Sequence, residues 1–273
     1  MRLSAAASSS LRSALTGPSR PATWLGVTTS ALYLQISSEP GALALLAHDA
    51  VRLPCALLLP TTAAERPLTV LVPARPQREC LVGDGKLAWT SAAGPVVVRA
   101  VREWRPASAS PGAVVASALA CVRAALPPPA ALGVEAAWVS ALTTRPAAAV
   151  AGLTGRGPGL TPAGDDVLAG FLVGALAFGV DAAAVRAATA ALAPTRTSAL
   201  SAALLRHAAA GECIDQVAAA AGYLTGRAGH SSDAVARLLA VGHTSGAALA
   251  TGLVAAATTA LRALPATGGV AAA

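Results

Sequence analysis

Apolar positions change their period partway along the chain. From residue 21 to about 106 they fall in short alternating or β-branched runs broken by Pro and Gly, and these predict strands within 24–36, 51–60, 67–73, 79–90 and 95–104. The Gly83-Asp84-Gly85 sequence inside ECLVGDGKLAWT is a hairpin signal. Trp89 and Trp104 are expected to cover one face of that sheet as core residues. After PASASPG the spacing becomes helical, first in AVVASALACVRAAL (113–126). Later helices are expected at 167–180, 182–193, 197–210, 214–225, 232–241 and 245–263. Strands first and helices afterwards make an α+β chain. The expected layout is a flexible arm (1–20), a mainly antiparallel β-rich domain (21–108), an all-helical domain (109–266) and a frayed tail (267–273).

Composition narrows the picture. With 55% hydrophobic and 12% charged residues, 273 residues suffice to bury a core without cross-links. The four cysteines show no CxxC pair, which suits reduced thiols in a cytoplasmic protein, and all four are read as small core residues. Mean hydropathy of +0.60 raises the question of a membrane. The stretch Val167–Val180, taken as the longest uncharged helical candidate, is too short to span one, so no membrane partner is expected. The net charge of +7 arises from 14 Lys/Arg against 7 Asp/Glu in residues 1–160, spread without a basic run. Aromatics at 3% offer no base-stacking platform, so no nucleic-acid partner is expected.

One stretch concentrates chemistry: GRGPGLTPAGDD, residues 155–166. Gly155, Gly157 and Gly159 can adopt positive φ and turn successive N–H groups inward, while Pro158 and Pro162 stiffen the loop. With Thr161 as N-cap and Pro162 in the first turn, a helix N-terminus adds free donors and a dipole favourable to phosphate or carboxylate. No Lys follows at Walker A spacing, and no βαβ unit surrounds the glycines. Asp165 and Asp166 point about 100° apart on a helix and need not share a role. One reading has them cap and solvate the helix start; the other has one accept N–H bonds from an amide or carbamoyl group, or bind Mg²⁺ beside phosphate. Gly170 and Gly174 form a GxxxG pattern that lets another helix or strand approach closely and hold the loop rigid.

Two other helix starts resemble it chemically. TRTS (195–198) offers Arg196, Thr197 and Ser198, with Arg196 suited to bidentate carboxylate binding and Thr195 readable as an ordinary N-cap. GHTSG (242–246) offers His243, Thr244, Ser245 and Gly246, with His243 as a donor or proton carrier, or simply a loop residue. His48, His207 and His230 lack ligands at metal spacing and are read as structural.

The run G-x-G-P-G-L-T-P-x-G-D-D before an apolar helix, then T-R-x-S with a later Gly211-Glu212, then G-H-T-S-G-x-x-L-x-x-G at 242–252, resembles the AllH-type subunit of oxamate carbamoyltransferase. The resemblance covers most of the chain and is strongest from about 150 to 260. It implies a part in converting oxalurate and phosphate to oxamate and carbamoyl phosphate during purine and allantoin nitrogen degradation, alongside other carbamoyltransferase subunits. Read from the residues themselves and not from the family, the candidate catalytic residues are Asp165, Asp166 and His243. The candidate substrate-binding residues are Gly155, Gly157, Gly159, Leu160, Thr161, Gly164, Arg196, Thr197, Ser198, Thr244, Ser245 and Gly246. No metal ligand is assigned and no cofactor is required, with Mg²⁺ possible. Two alternatives stay open, a non-catalytic anion-binding or scaffold subunit and a Mg²⁺-dependent phosphohydrolase.

Overall fold

A computed structural model describes residues 1–72 and 80–263. Eight strands close a barrel: β1 (Arg2–Ser8), β2 (Arg20–Val27), β3 (Ala31–Ile36), β4 (Ala42–Leu46), β5 (Ala56–Leu58), β6 (Cys80–Gly83), β7 (Lys86–Ser91) and β8 (Gly94–Trp104), in the order β1-β5-β4-β3-β2-β6-β7-β8. The β1–β8 and β4–β5 pairs are parallel and the others antiparallel, in keeping with a mainly antiparallel sheet. The β6–β7 hairpin turns where expected, with Gly83 opposite Lys86 and positive φ at Asp84 and Gly85, the backbone of a two-residue primed turn.

Several expectations change. Residues 1–20 are not a loose arm: they supply β1, which closes the barrel between β5 and β8, and a short helix α1 (Arg12–Thr16) that buries Ala14 and Leu15. β4 was missed because ALALL neither alternates nor carries β-branched residues. All five of its positions are buried, since both faces are covered: Leu43 and Leu45 point into the barrel, Ala44 and Leu46 into a second cluster outside it. The expected strand in PLTVLVP is instead a 3₁₀ turn, Leu68–Leu71. Pro73 and Glu79, and the expected frayed tail 267–273 with the last residues of the expected helical domain, lie outside the described residues. Trp89 sits inside the barrel, donating from its indole N–H to the Leu71 carbonyl at 2.6 Å and meeting Trp24 edge-on at 5.7 Å. Trp104 packs on the outer cluster, so the two tryptophans do not share a face.

The helical layer comprises α2 (Ala116–Ala125), α3 (Ala136–Ser140), α4 (Pro146–Leu153), α5 (Ala163–Phe178), α6 (Ala183–Arg196), α7 (Ala199–Ala209), α8 (Asp215–Leu224), α9 (Asp233–Leu239) and α10 (Ser245–Ala263). It is not all-helical, because β9 (Ala107–Ser108) pairs with β10 (Glu212–Cys213). Cys55, Cys80 and Cys213 are buried as expected, but Cys121 on α2 is exposed. α10, rather than the 167–180 stretch, is the longest apolar helix, and alone among the described residues is long and apolar enough to cross a membrane. Here it lies along α5 in the helical core. The two helices approach at glycines: a Cβ on Gly170 would sit 2.0 Å from the Leu249 carbonyl oxygen, and one on Gly252 2.1 Å from that of Val167. α5 is thereby clamped with its first turn beneath the glycine loop.

Candidate functional site

The glycine loop is built by close backbone approaches. Gly155 has φ +72°, and a Cβ there would meet the Arg196 carbonyl oxygen at 2.2 Å. A Cβ on Gly164 would meet that of Leu153 at 2.1 Å. These two glycines therefore pack the loop against the ends of α4 and α6. Gly157 and Gly159 also take positive φ, and nothing stands within 4 Å of the Gly159 Cβ position. The N–H groups of Gly157, Gly159, Leu160, Thr161 and Ala163 have no hydrogen-bond partner among the described residues. Leu160 anchors the loop by packing on the barrel core, and its carbonyl accepts the Ser198 hydroxyl.

The two aspartates divide. Asp165 is 1% exposed; its Oδ1 accepts the Gly155 N–H at 2.8 Å, and its Oδ2 accepts the Ser201 hydroxyl at 2.7 Å and the Thr197 hydroxyl. Burial raises its pKa, and those three donors oppose the rise. Asp165 ties the loop, the α6–α7 joint and α7 together, so it holds the site rather than facing it. Asp166 is 7% exposed, and its Oδ2 is buried with no hydrogen-bond partner among the described residues. Burial pushes its carboxyl up to about 7, the Ser245 hydroxyl opposing the rise and the Asp165 charge adding to it.

Asp166 lines a cavity of about 400 Å³ between the outer face of the barrel and the helices. The barrel contributes Ala31, Tyr33 and Leu46, the helices mostly aliphatic side chains. Thr161 and Ser245, whose hydroxyls lie 3.3 Å apart, join Asp166 in the wall. No Lys or Arg lines this cavity among the described residues.

Of the residues singled out in the sequence, Thr161, Asp166 and Ser245 meet at the cavity. Thr161 precedes the helix and Pro162 occupies the N-cap, so the threonine hydroxyl is left for Ser245 rather than used as a cap. Thr195 and Arg196 do not open a helix, since α6 runs on through Pro194 to Arg196. Ser198 is the true N-cap of α7, accepting the Ser201 N–H at 3.0 Å. Arg196, His243 and Thr244 do not line the cavity, and the first two are exposed. A Cβ on Gly246 would meet the Leu238 carbonyl oxygen at 1.9 Å, which makes it a packing glycine for α9. Tyr33 and Glu212 also line the cavity; Tyr33 belongs to a strand recognisable only as core, and Glu212 appeared only as half of a Gly-Glu pair. Among the described residues no three His, Cys, Asp or Glu side chains gather at metal-binding distance.

Residues 153–257 match the family model described as oxamate carbamoyltransferase subunit AllH. The match spans the loop, α5, α7, Glu212 and most of α10, and supports an AllH-type subunit. No curated protein and no solved structure matches the chain.

Proposed function

We propose that this chain, an AllH-type subunit by its 153–257 segment, takes part in carbamoyl transfer between oxalurate and phosphate, with the Asp166 cavity receiving the carbamoyl-bearing end of the substrate. The observation that carries the reading is the buried, unpartnered Asp166 Oδ2 in a cavity wall. A carboxyl raised to about 7 holds a proton near neutral pH and can pass it on.

In the transfer, a phosphate oxygen forms a bond to the carbamoyl carbon of oxalurate. The bond from that carbon to the oxamate nitrogen breaks, and the nitrogen takes the Asp166 proton. Oxamate and carbamoyl phosphate leave, and Asp166 regains a proton from the incoming hydrogen phosphate, so charge and protons balance. The unpartnered N–H groups of Gly157, Gly159, Leu160, Thr161 and Ala163 suit the anionic part of the reactants. Because no Lys or Arg lines the cavity among the described residues, further positive charge would come from partner subunits of the carbamoyltransferase, or from Mg²⁺ carried on phosphate.

The test is Asp166→Asn in the assembled complex, measuring carbamoyl phosphate formed from oxalurate and phosphate. Loss of a proton carrier should lower turnover by roughly 10²-fold or more with assembly intact. Unchanged turnover would favour the scaffold alternative.

A further inference from the structure

A second carboxylate shares the cavity. Glu212 lines it together with Asp166, and its Oε2 lies 2.6 Å from Nδ1 of His207. His207 is 6% exposed, and burial lowers its pKa against the opposing pull of Glu212. Against an ionised carboxylate, which can only accept, Nδ1 is the donor, while Nε2 is buried without a partner among the described residues. Glu212 is further fixed by the β9–β10 pairing and by Gly211, whose φ of +84° turns the chain out of α7. Arg206, the nearest arginine in sequence, is turned away to the Glu39 carboxylate and the Pro40 carbonyl. Asp166 and Glu212 therefore both line one largely aliphatic cavity, with no Lys or Arg in its wall among the described residues.

We infer that Glu212, positioned by His207, is a second ligand-contacting carboxylate, and that this cavity selects a planar head with N–H donors on one carbon, as in a ureido or amidinium group. A buried carboxylate is tolerated when donors meet it, and a ligand would bring them to Asp166 Oδ2, while the half-buried Glu212 keeps Oε2 on His207 and has Oε1 left to accept. For oxalurate the inference rests on the reading proposed above. For an amidinium it stands alone.

The purified full chain is titrated with acetamidinium and with oxalurate by calorimetry, as wild type, Glu212→Gln, His207→Gln and His207→Phe, with melting temperatures recorded alongside. Glu212→Gln should weaken acetamidinium at least about tenfold, the scale of a lost hydrogen bond to a charged group. His207→Gln, which can still donate, should stay near wild type, whereas His207→Phe should weaken binding; a merely structural role would instead track the melting temperatures. Equal binding by wild type and Glu212→Gln, or no binding of either probe by wild type, would overturn the inference. Glu212-dependent binding of acetamidinium without any of oxalurate would leave it standing and remove the oxalurate reading.

Discussion

At the scale of single residues, Asp165 and Asp166 are adjacent in sequence and opposite in use. Asp165 accepts three donors, so Asp165→Asn, which places an amide where donors converge, should destabilise the fold by about 1–3 kcal/mol in urea unfolding. Asp166→Asn should act the other way. Its folded pKa of about 7 exceeds the ordinary 3.8, so the native state holds the proton more tightly than the unfolded chain. Its contribution to stability is therefore fullest at low pH, falls as pH rises through the window from about 4 to 7, and levels off above it. His207, with a lowered pKa, works in the opposite direction, so the informative quantity is the difference between wild type and variant. Asp166→Asn should gain on wild type between pH 5 and pH 8, by roughly 1 kcal/mol for each pH unit crossed inside the window. A parallel pair of stability curves would contradict the burial argument.

At the scale of elements, the decisive feature is how closely helices approach. The GxxxG pattern in α5 gave the right expectation of a tight neighbour, and α10 answers with its own Gly252. Gly170→Ala should cost at least about 1–3 kcal/mol, because the methyl meets a backbone carbonyl that cannot swing aside. Gly159→Ala meets open space and should cost only about 1–2 kcal/mol for its left-handed backbone. Melting temperatures of the two variants give the comparison. The residues that close the loop follow the same logic: Ser198 both caps α7 and donates to the Leu160 carbonyl, so Ser198→Ala should lose about 1 kcal/mol and loosen the loop.

At the scale of the whole molecule, the cavity exists because the barrel and the helical layer meet without filling the space between them. β4 shows the cost of that arrangement in sequence terms: covered on both faces, it loses the alternation that marks a half-exposed strand. The N-terminal segment is part of the same architecture. Deleting residues 1–8 would leave β5 and β8 without the strand between them, and should abolish cooperative unfolding seen by circular dichroism. Enlarging Ala169, which faces the cavity from α5, to Leu should reduce ligand binding more than stability, because the added methyl groups enter free space.

The sequence by itself determined the α+β order, most helices and the Asp84-Gly85 hairpin turn, since each is written in local spacing or in a residue's own backbone preference. It also marked Asp166, Thr161 and Ser245, because short polar residues at helix starts stand out in so apolar a chain. Tertiary structure alone decided that the first strand closes a barrel, that Asp165 is a tether and Asp166 a cavity residue, and that Glu212 and Tyr33 join the site. Those facts depend on which distant segments are packed together and on the burial that follows. Which distant segment a residue will meet is not encoded in the spacing of its neighbours in sequence.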